Sequence, residues 1–256
     1  MSNIRKAFEN GKAFIPFITC GDPDIDTTYR AVKEAVANGA DLIELGIPFS
    51  DPTAEGPVIQ SANVRALAGG ITTDDVFALV ERLREDVTIP LVFMTYANVV
   101  FSYGPDRFMA RCAQAGIDGI IIPDIPYEEK EEFEPYCKEH GVDLISMIAP
   151  TSEGRIKEIA SNASGFIYLV SSLGVTGERT SFASGLSEIV NSIREVTDVP
   201  CAIGFGISNP EQAKAMADIS DGAIVGSAIV KILAAYGKDA PAHIGEFVKN
   251  VKEALR

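Results

Sequence analysis

Glu44 stands inside an apolar run, Leu42-Ile43-Glu44-Leu45, where a carboxylate is an unusual guest. A carboxyl group flanked by Ile and Leu loses hydration. That raises its pKa toward the range in which it can move protons near neutrality. Eleven residues on, Glu55 lies in the stretch Pro48-Phe49-Ser50-Asp51-Pro52-Thr53-Ala54-Glu55-Gly56-Pro57. Two carboxyl groups in unlike surroundings can divide acid and base roles. Taken singly, Glu44 also fits a salt-bridged structural acid, Glu55 a solvated loop charge, and Asp51 an Asx-type turn residue.

A second set of residues suits an anion. Gly204-Phe205-Gly206-Ile207-Ser208 and Val225-Gly226-Ser227-Ala228 each close an apolar run with glycine, and the second opens a helical stretch. Backbone N–H groups at a helix start bind phosphate, and glycine lets it come close. The same glycines also fit plain tight turns. Tyr96 and Tyr168 lie at or near the ends of apolar runs, where they either meet a substrate or fill the core. Phe17 and Phe205 either line a flat pocket or pack. There is no Ser-His-Asp pattern and no lysine inside an apolar run for a Schiff base. Cys20, Cys112, Cys137 and Cys201 make no CxxC pair, and His140 and His243 have no ligand spacing, so no metal site is expected.

Eight short apolar runs must position these groups: Ala13–Cys20, Asp41–Ile47, Pro90–Tyr96, Gly119–Ile122, Asp143–Ile148, Gly165–Val170, Cys201–Gly204 and Gly222–Val225. They are continuous rather than alternating, as strands of a parallel sheet covered on both faces are. Between them, Tyr29–Asn38, Val76–Arg84, Arg107–Ala115, Glu128–Glu139, Arg155–Asn162, Leu186–Val196, Pro210–Ala217 and Ala228–Ala235 carry helical periodicity. Gly39, Gly116 and Gly141 stand where a helix stops before the next strand. The fold class expected is α/β, a single (β/α)8 TIM barrel over residues 1–256. An open doubly wound sheet would carry GxGxxG after its first strand, and Cys20-Gly21-Asp22-Pro23-Asp24 stands there instead. Ser2–Asn10 is expected to form a short helix plugging the barrel floor with Ile4 and Phe8, and Pro241–Leu255 a packed amphipathic helix. Most runs start roughly 20 to 35 residues apart, but the second and third are nearly 50 apart. The surplus predicts a long catalytic loop after the second strand, with a second candidate lid over Gly174–Ser181.

Acids outnumber bases, 36 against 22, and no run of Lys or Arg appears, which argues against nucleic acid as a partner. No apolar run approaches the ~20 residues of a membrane span, and Met1–Gly11 lacks a signal-type apolar core. The expectation is a cytoplasmic protein with reduced, buried thiols. From the residues alone, the function expected is that of a lyase or isomerase acting on a phosphorylated substrate by carboxylate proton transfer.

The run Glu44-Leu45-Gly46-Ile47-Pro48-Phe49-Ser50-Asp51-Pro52-Thr53-Ala54-Glu55-Gly56-Pro57-Val58-Ile59-Gln60 resembles the signature of the tryptophan synthase α subunit family. The resemblance continues through Pro16–Pro23, Met94–Asn98, Ser171–Gly177, Gly204–Ser208 and Gly226–Lys231. It implies retro-aldol cleavage of indole-3-glycerol phosphate to indole and glyceraldehyde 3-phosphate in tryptophan biosynthesis. Glu44 matches the family's general acid–base. Glu55 falls where the family usually has Asp, which holds the indole N–H. Phe17, Tyr96, Tyr168 and Phe205 match substrate-pocket residues, and Thr176 the lid threonine. Gly177, Gly206, Gly226 and Ser227 match the phosphate cradle. The resemblance implies no cofactor in this chain, with PLP on a partner β subunit in an α2β2 heterotetramer. An alternative is a catalytically weakened barrel that binds ligand and mainly activates that β subunit. Its support is Glu55, whose extra methylene moves the carboxylate by roughly 1 Å, enough to cost ~10²-fold in rate if uncorrected. Thr53, where the family usually has Leu, lies on the same loop. If the loop Asp51–Pro57 is repositioned to present Glu55 to the indole N–H, Glu55→Asp leaves indole formation similar or raises it. Complete loss would show a site built around glutamate.

Overall fold

The computed structural model describes residues 3–171, 179–204 and 206–256, with 153 and 179–184 as backbone alone. Nine strands form one sheet: β1 (Ala13–Thr19), β2 (Ile43–Gly46), β3 (Leu91–Met94), β4 (Gly119–Ile121), β5 (Asp143–Leu144), β6 (Ser146–Ile148), β7 (Ile167–Val170), β8 (Cys201–Gly204) and β9 (Gly222–Val225). All pair in parallel, in the order β5-β4-β3-β2-β1-β9-β8-β7-β6. The two outer strands of that order, β5 and β6, are separated by Ile145 alone, whose N–H donates to the Ile120 carbonyl at 2.9 Å. They are halves of one barrel strand, and the ring closes through it. The expected eight-stranded barrel is what forms.

Eleven α-helices are described: α1 (Ile25–Ala37), α2 (Pro57–Ala68), α3 (Thr73–Arg84), α4 (Ala97–Tyr103), α5 (Pro105–Ala115), α6 (Glu134–His140), α7 (Ile156–Ser161), α8 (Arg179–Arg194), α9 (Pro210–Ile219), α10 (Ser227–Tyr236) and α11 (Ala240–Ala254). Gly39, Gly116 and Gly141 take positive φ, as their helix-stop role requires. Two expectations need correction. The surplus after the second strand is not all loop, because α2 begins at Pro57 and buries Ile59, Ala62, Asn63 and Ala66. That set has helical spacing, but its small and polar members give little apolar contrast. Glu128–Glu139 is also not one helix. It breaks into a 3-10 turn over Tyr127–Glu132 and then α6, with Pro135 in the first turn of α6.

Alternation along each strand sorts the core into layers. Ala13, Ile15, Phe17, Leu42, Val92, Met94, Phe166, Tyr168, Ala202 and Ile224 share the barrel interior. Phe14, Ile18, Ile43, Leu45, Leu91 and Phe93 belong to the layer under the helices. Glu44 therefore falls on the inward face with Leu42. The floor is closed by a 3-10 turn over Asn3–Phe8. Ile4 is fully buried there, and the Phe8 ring lies 6.0 Å from that of Phe166. Ile4→Ala should cost about 2–4 kcal/mol of stability, read as a lowered urea midpoint. An unchanged midpoint would show that the turn is not part of the core.

Candidate active site

β2 carries Glu44 into the barrel between Phe17 on β1 and Val92 on β3, its register partners. The side chain is 1% exposed, and its Oε2 has no hydrogen-bond partner among the described residues. Among those residues no cation pairs with it either. Burial without a donor disfavours the carboxylate, and the nearby charge of Glu55 adds to the effect. Together they push Glu44 up to about 8. Tyr168 lies in the same interior. Burial, and then the Glu44 charge, holds its phenol well above the usual range.

Two glycines make room for these aromatic groups. A Cβ on Gly46 would lie 2.5 Å from the Phe17 ring, and one on Gly204 would lie 2.4 Å from the Tyr168 hydroxyl. Side chains at either position would force the rings out of the interior.

Glu55 ends the loop after β2, next to Gly56, the N-cap of α2. Asn63, buried on α2, donates its Nδ2 to Glu55 Oε2 at 2.7 Å. Gln60 Nε2 donates to the Glu55 carbonyl at 2.8 Å. Burial raises the Glu55 carboxyl and the Asn63 bond opposes it, leaving it at about 6. Glu55 is thus not a solvated loop charge. Its helix is fixed in turn by a two-point ion pair, Arg65 Nε and Nη2 to the buried Asp22 carboxylate at 2.8 and 2.7 Å.

Tyr96 grips the same loop. Its hydroxyl accepts from the Ala54 N–H at 3.1 Å, and its ring stacks on Phe49 at 5.2 Å. Tyr96 is buried, and burial pushes its phenol up to about 12. Asp51 is exposed and accepts from the neighbouring Ser50 hydroxyl, the local contact expected of a turn residue.

Across the mouth, Gly226 is the N-cap of α10, and no described side chain caps that helix. Intrahelical bonding begins with the Val230 N–H to the Gly226 carbonyl, at 3.1 Å, so the N–H groups of the first turn have no backbone partner among the described residues. Ser227 and Gly206 are exposed beside the strand ends, Gly206 with φ +73°. Thr176, Gly177 and Phe205 lie outside the described residues. A cleft of about 1050 Å³ opens at the opposite end of the barrel, lined by Lys12, Asp41, Arg194, Asp221 and Lys252 among others. Lys252 pairs there with Asp41, and Arg194 with Asp221, so the cleft is floored by structural ion pairs.

Asn63, Asp22 and Arg65 were not singled out from sequence. For Asn63 and Arg65 the available signal is Gly56-Pro57, a proper helix start, since proline suits the first helical position; nothing local points to Asp22. A helix drawn from there places Asn63 on the inward face with Ile59 and Ala66.

The class is that of the α/β barrels, closed and parallel, with two desolvated carboxyl groups toward the C-terminal mouth where such barrels carry their sites. Residues 3–255 match the family model described as tryptophan synthase alpha chain, and the chain belongs to that family. The tryptophan synthase alpha chain of Lacticaseibacillus casei is 51% identical over 255 residues, covering 100% of this chain and 96% of that one. The crystal structure of tryptophan synthase subunit alpha from Legionella pneumophila superposes with a TM-score of 0.90. It is 37% identical and covers 100% and 98% of the two chains. A chain of the tryptophan synthase complex from Pyrococcus furiosus gives 0.86 at 32% identity, covering 95% and 98%. The family's reaction is lyase cleavage of indole-3-glycerol phosphate, and its partner is the β subunit. No described helix is long and apolar enough to cross a membrane.

Raised carboxyl pKa values fix the sign of a pH effect. The folded state holds the Glu44 proton up to about 8, whereas the unfolded chain releases it near 4.5. Stability is therefore lost as pH rises through that window, by at most about 1.4 kcal/mol per pH unit. Glu44→Gln should stabilise the fold, and more at pH 8 than at pH 5 in denaturant titrations. A stabilisation that does not change with pH would contradict the buried, protonated state.

Proposed function

We propose that Glu44 and Glu55 share the retro-aldol cleavage of indole-3-glycerol phosphate between them. One observation carries this reading. Glu44 is a buried carboxyl group on the inward face of β2, with an oxygen left unpaired among the described residues, and that burial favours its protonated form. It gives its proton to indole C3, turning the ring into an indolenine-like cation. The resulting carboxylate then takes the proton of the adjacent hydroxyl. The bond between C3 and the hydroxyl-bearing carbon breaks, its electrons return to the ring, and the aldehyde leaves as glyceraldehyde 3-phosphate. The two transfers sum to moving one proton from oxygen to carbon, so a single carboxyl group suffices.

Glu55 serves as the carboxylate beside the indole N–H, where positive charge develops. Its lower pKa, about 6, keeps it charged while Glu44 is neutral. Phe17, Tyr168 and Phe205 flank the substrate. Tyr96 acts chiefly by holding the Glu55 loop, and the family resemblance gives Thr176 the role of the lid threonine. The phosphate sits on the first turn of α10 with Gly226, Ser227 and Gly206, and the family resemblance adds Gly177 to the cradle. Such a cradle uses amides rather than cations, in keeping with a chain of net charge −14. This chain needs no cofactor, because PLP belongs to the β subunit with which it forms an α2β2 assembly in the cytoplasm. The weakened, purely regulatory reading is disfavoured by two carboxyl groups tuned apart at one mouth.

Indole formation by the chain, measured alone and with a β subunit, tests this. kcat/KM should rise with an apparent pKa near 6 and fall near 8. Glu44→Gln should lower kcat about 10²- to 10⁴-fold. Glu55→Gln should remove the rising limb and shift the falling limb to lower pH, because Glu44 loses its charged neighbour. A Glu44→Gln enzyme of full activity would refute the assignment.

A further inference from the structure

We propose that Asn63 is a positioning residue for this reaction, holding the Glu55 carboxylate by one oxygen so that the other meets the indole N–H. The inference rests on the assignment of Glu55 made above. Asn63 lies on the buried face of α2 with Ile59, Ala62 and Ala66, where an aliphatic residue would otherwise be expected. Its Nδ2 donates to Glu55 Oε2 at 2.7 Å, and among the described residues this is the one side-chain bond that Asn63 makes. A buried amide oriented on a single carboxylate is poorly explained by packing alone.

Glutamate has one more torsion than aspartate, hence more orientations to suppress before it can face a substrate atom. Asn63 removes that freedom from a rigid base. The Arg65–Asp22 pair ties its helix to the turn after β1, and Gln60, in the first turn of the same helix, holds the Glu55 main chain. The bond also favours the charged form of Glu55, which the mechanism requires. Titratable groups that face Glu55 from other elements are Glu44 on β2 and Tyr96 beyond β3. Both act against its ionisation or not at all, which leaves Asn63 as the described side chain that supports it.

The test compares Asn63→Ala and Asn63→Asp in the full chain, with Glu55 intact and in a Glu55→Asp background. Readouts are kcat and KM for indole formation, the pH profile, and thermal melts. With Glu55 intact, kcat should fall about 10- to 100-fold with KM nearly unchanged. The acid limb should move to higher pH, furthest in Asn63→Asp, which places a second acid beside Glu55. In the Glu55→Asp background the loss should shrink to about threefold or less, because the shorter side chain needs no tether. If Asn63→Ala fails to fold, the nearly isosteric Asn63→Asp carries the test. Folded Asn63 variants that keep kcat and the acid limb overturn the inference. If Glu55→Gln loses activity while those variants do not, the inference alone falls. If Glu55→Gln keeps full kcat, the role given to Glu55 falls first.

Discussion

A carboxyl group sealed inside an apolar barrel, with neither a cation nor a hydrogen-bond donor among the described residues, is the constraint on which the site depends. Among the described residues nothing donates to the Glu44 Oε2 atom. Its proton is therefore retained at neutral pH, and the group is a donor awaiting an acceptor. Its surroundings maintain this state. Phe17 and Tyr168 fill the space around it, and Gly46 and Gly204 give up side chains to let those rings in. The arrangement costs stability, as catalytic groups in strained or desolvated settings do, against a total of only ~5–15 kcal/mol for a typical domain.

Glu55 shows how the same residue type acquires the opposite property a short distance away. It is only partly buried, and a buried amide donates to it. The two acids affect one another, since the charge of Glu55 makes that of Glu44 harder to form. In the proposed reaction a pair tuned apart in this way divides proton donation from charge stabilisation. The barrel supplies rigid strands for the first acid. The second rides on a loop that Tyr96, Asn63 and Gln60 hold at three points.

Much of this was legible in the sequence, for identifiable reasons. Continuous Ile- and Val-rich runs mark strands covered on both faces, and their number and spacing gave the barrel. Glu44 was conspicuous because a charge interrupts such a run. Ile4 and Phe8 announced the floor plug by their spacing. α2 stayed hidden because its buried face is built from Ile59, Ala62, Asn63 and Ala66, which carry little hydrophobic contrast. Hiding α2 also hid Asn63 and the Arg65–Asp22 tie. The Arg65–Asp22 contact spans 43 residues, and Asn63 reaches back from the helix to the loop that precedes it. Tyr96 was placed near the substrate, yet its hydroxyl is engaged with Ala54, a partner set by the path of the loop rather than by the strand that carries it.

The central claim is that two carboxyl groups at one barrel mouth titrate far apart. Carbon-13 NMR of the chain labelled at the glutamate side-chain carboxyl carbons measures this directly, with Glu44→Gln and Glu55→Gln chains assigning the two signals. One carboxyl should titrate near pH 8 and the other near 6, and loss of Glu55 should draw the higher one down. Two signals that both titrate near 4.5, unmoved by each other's removal, would contradict the account.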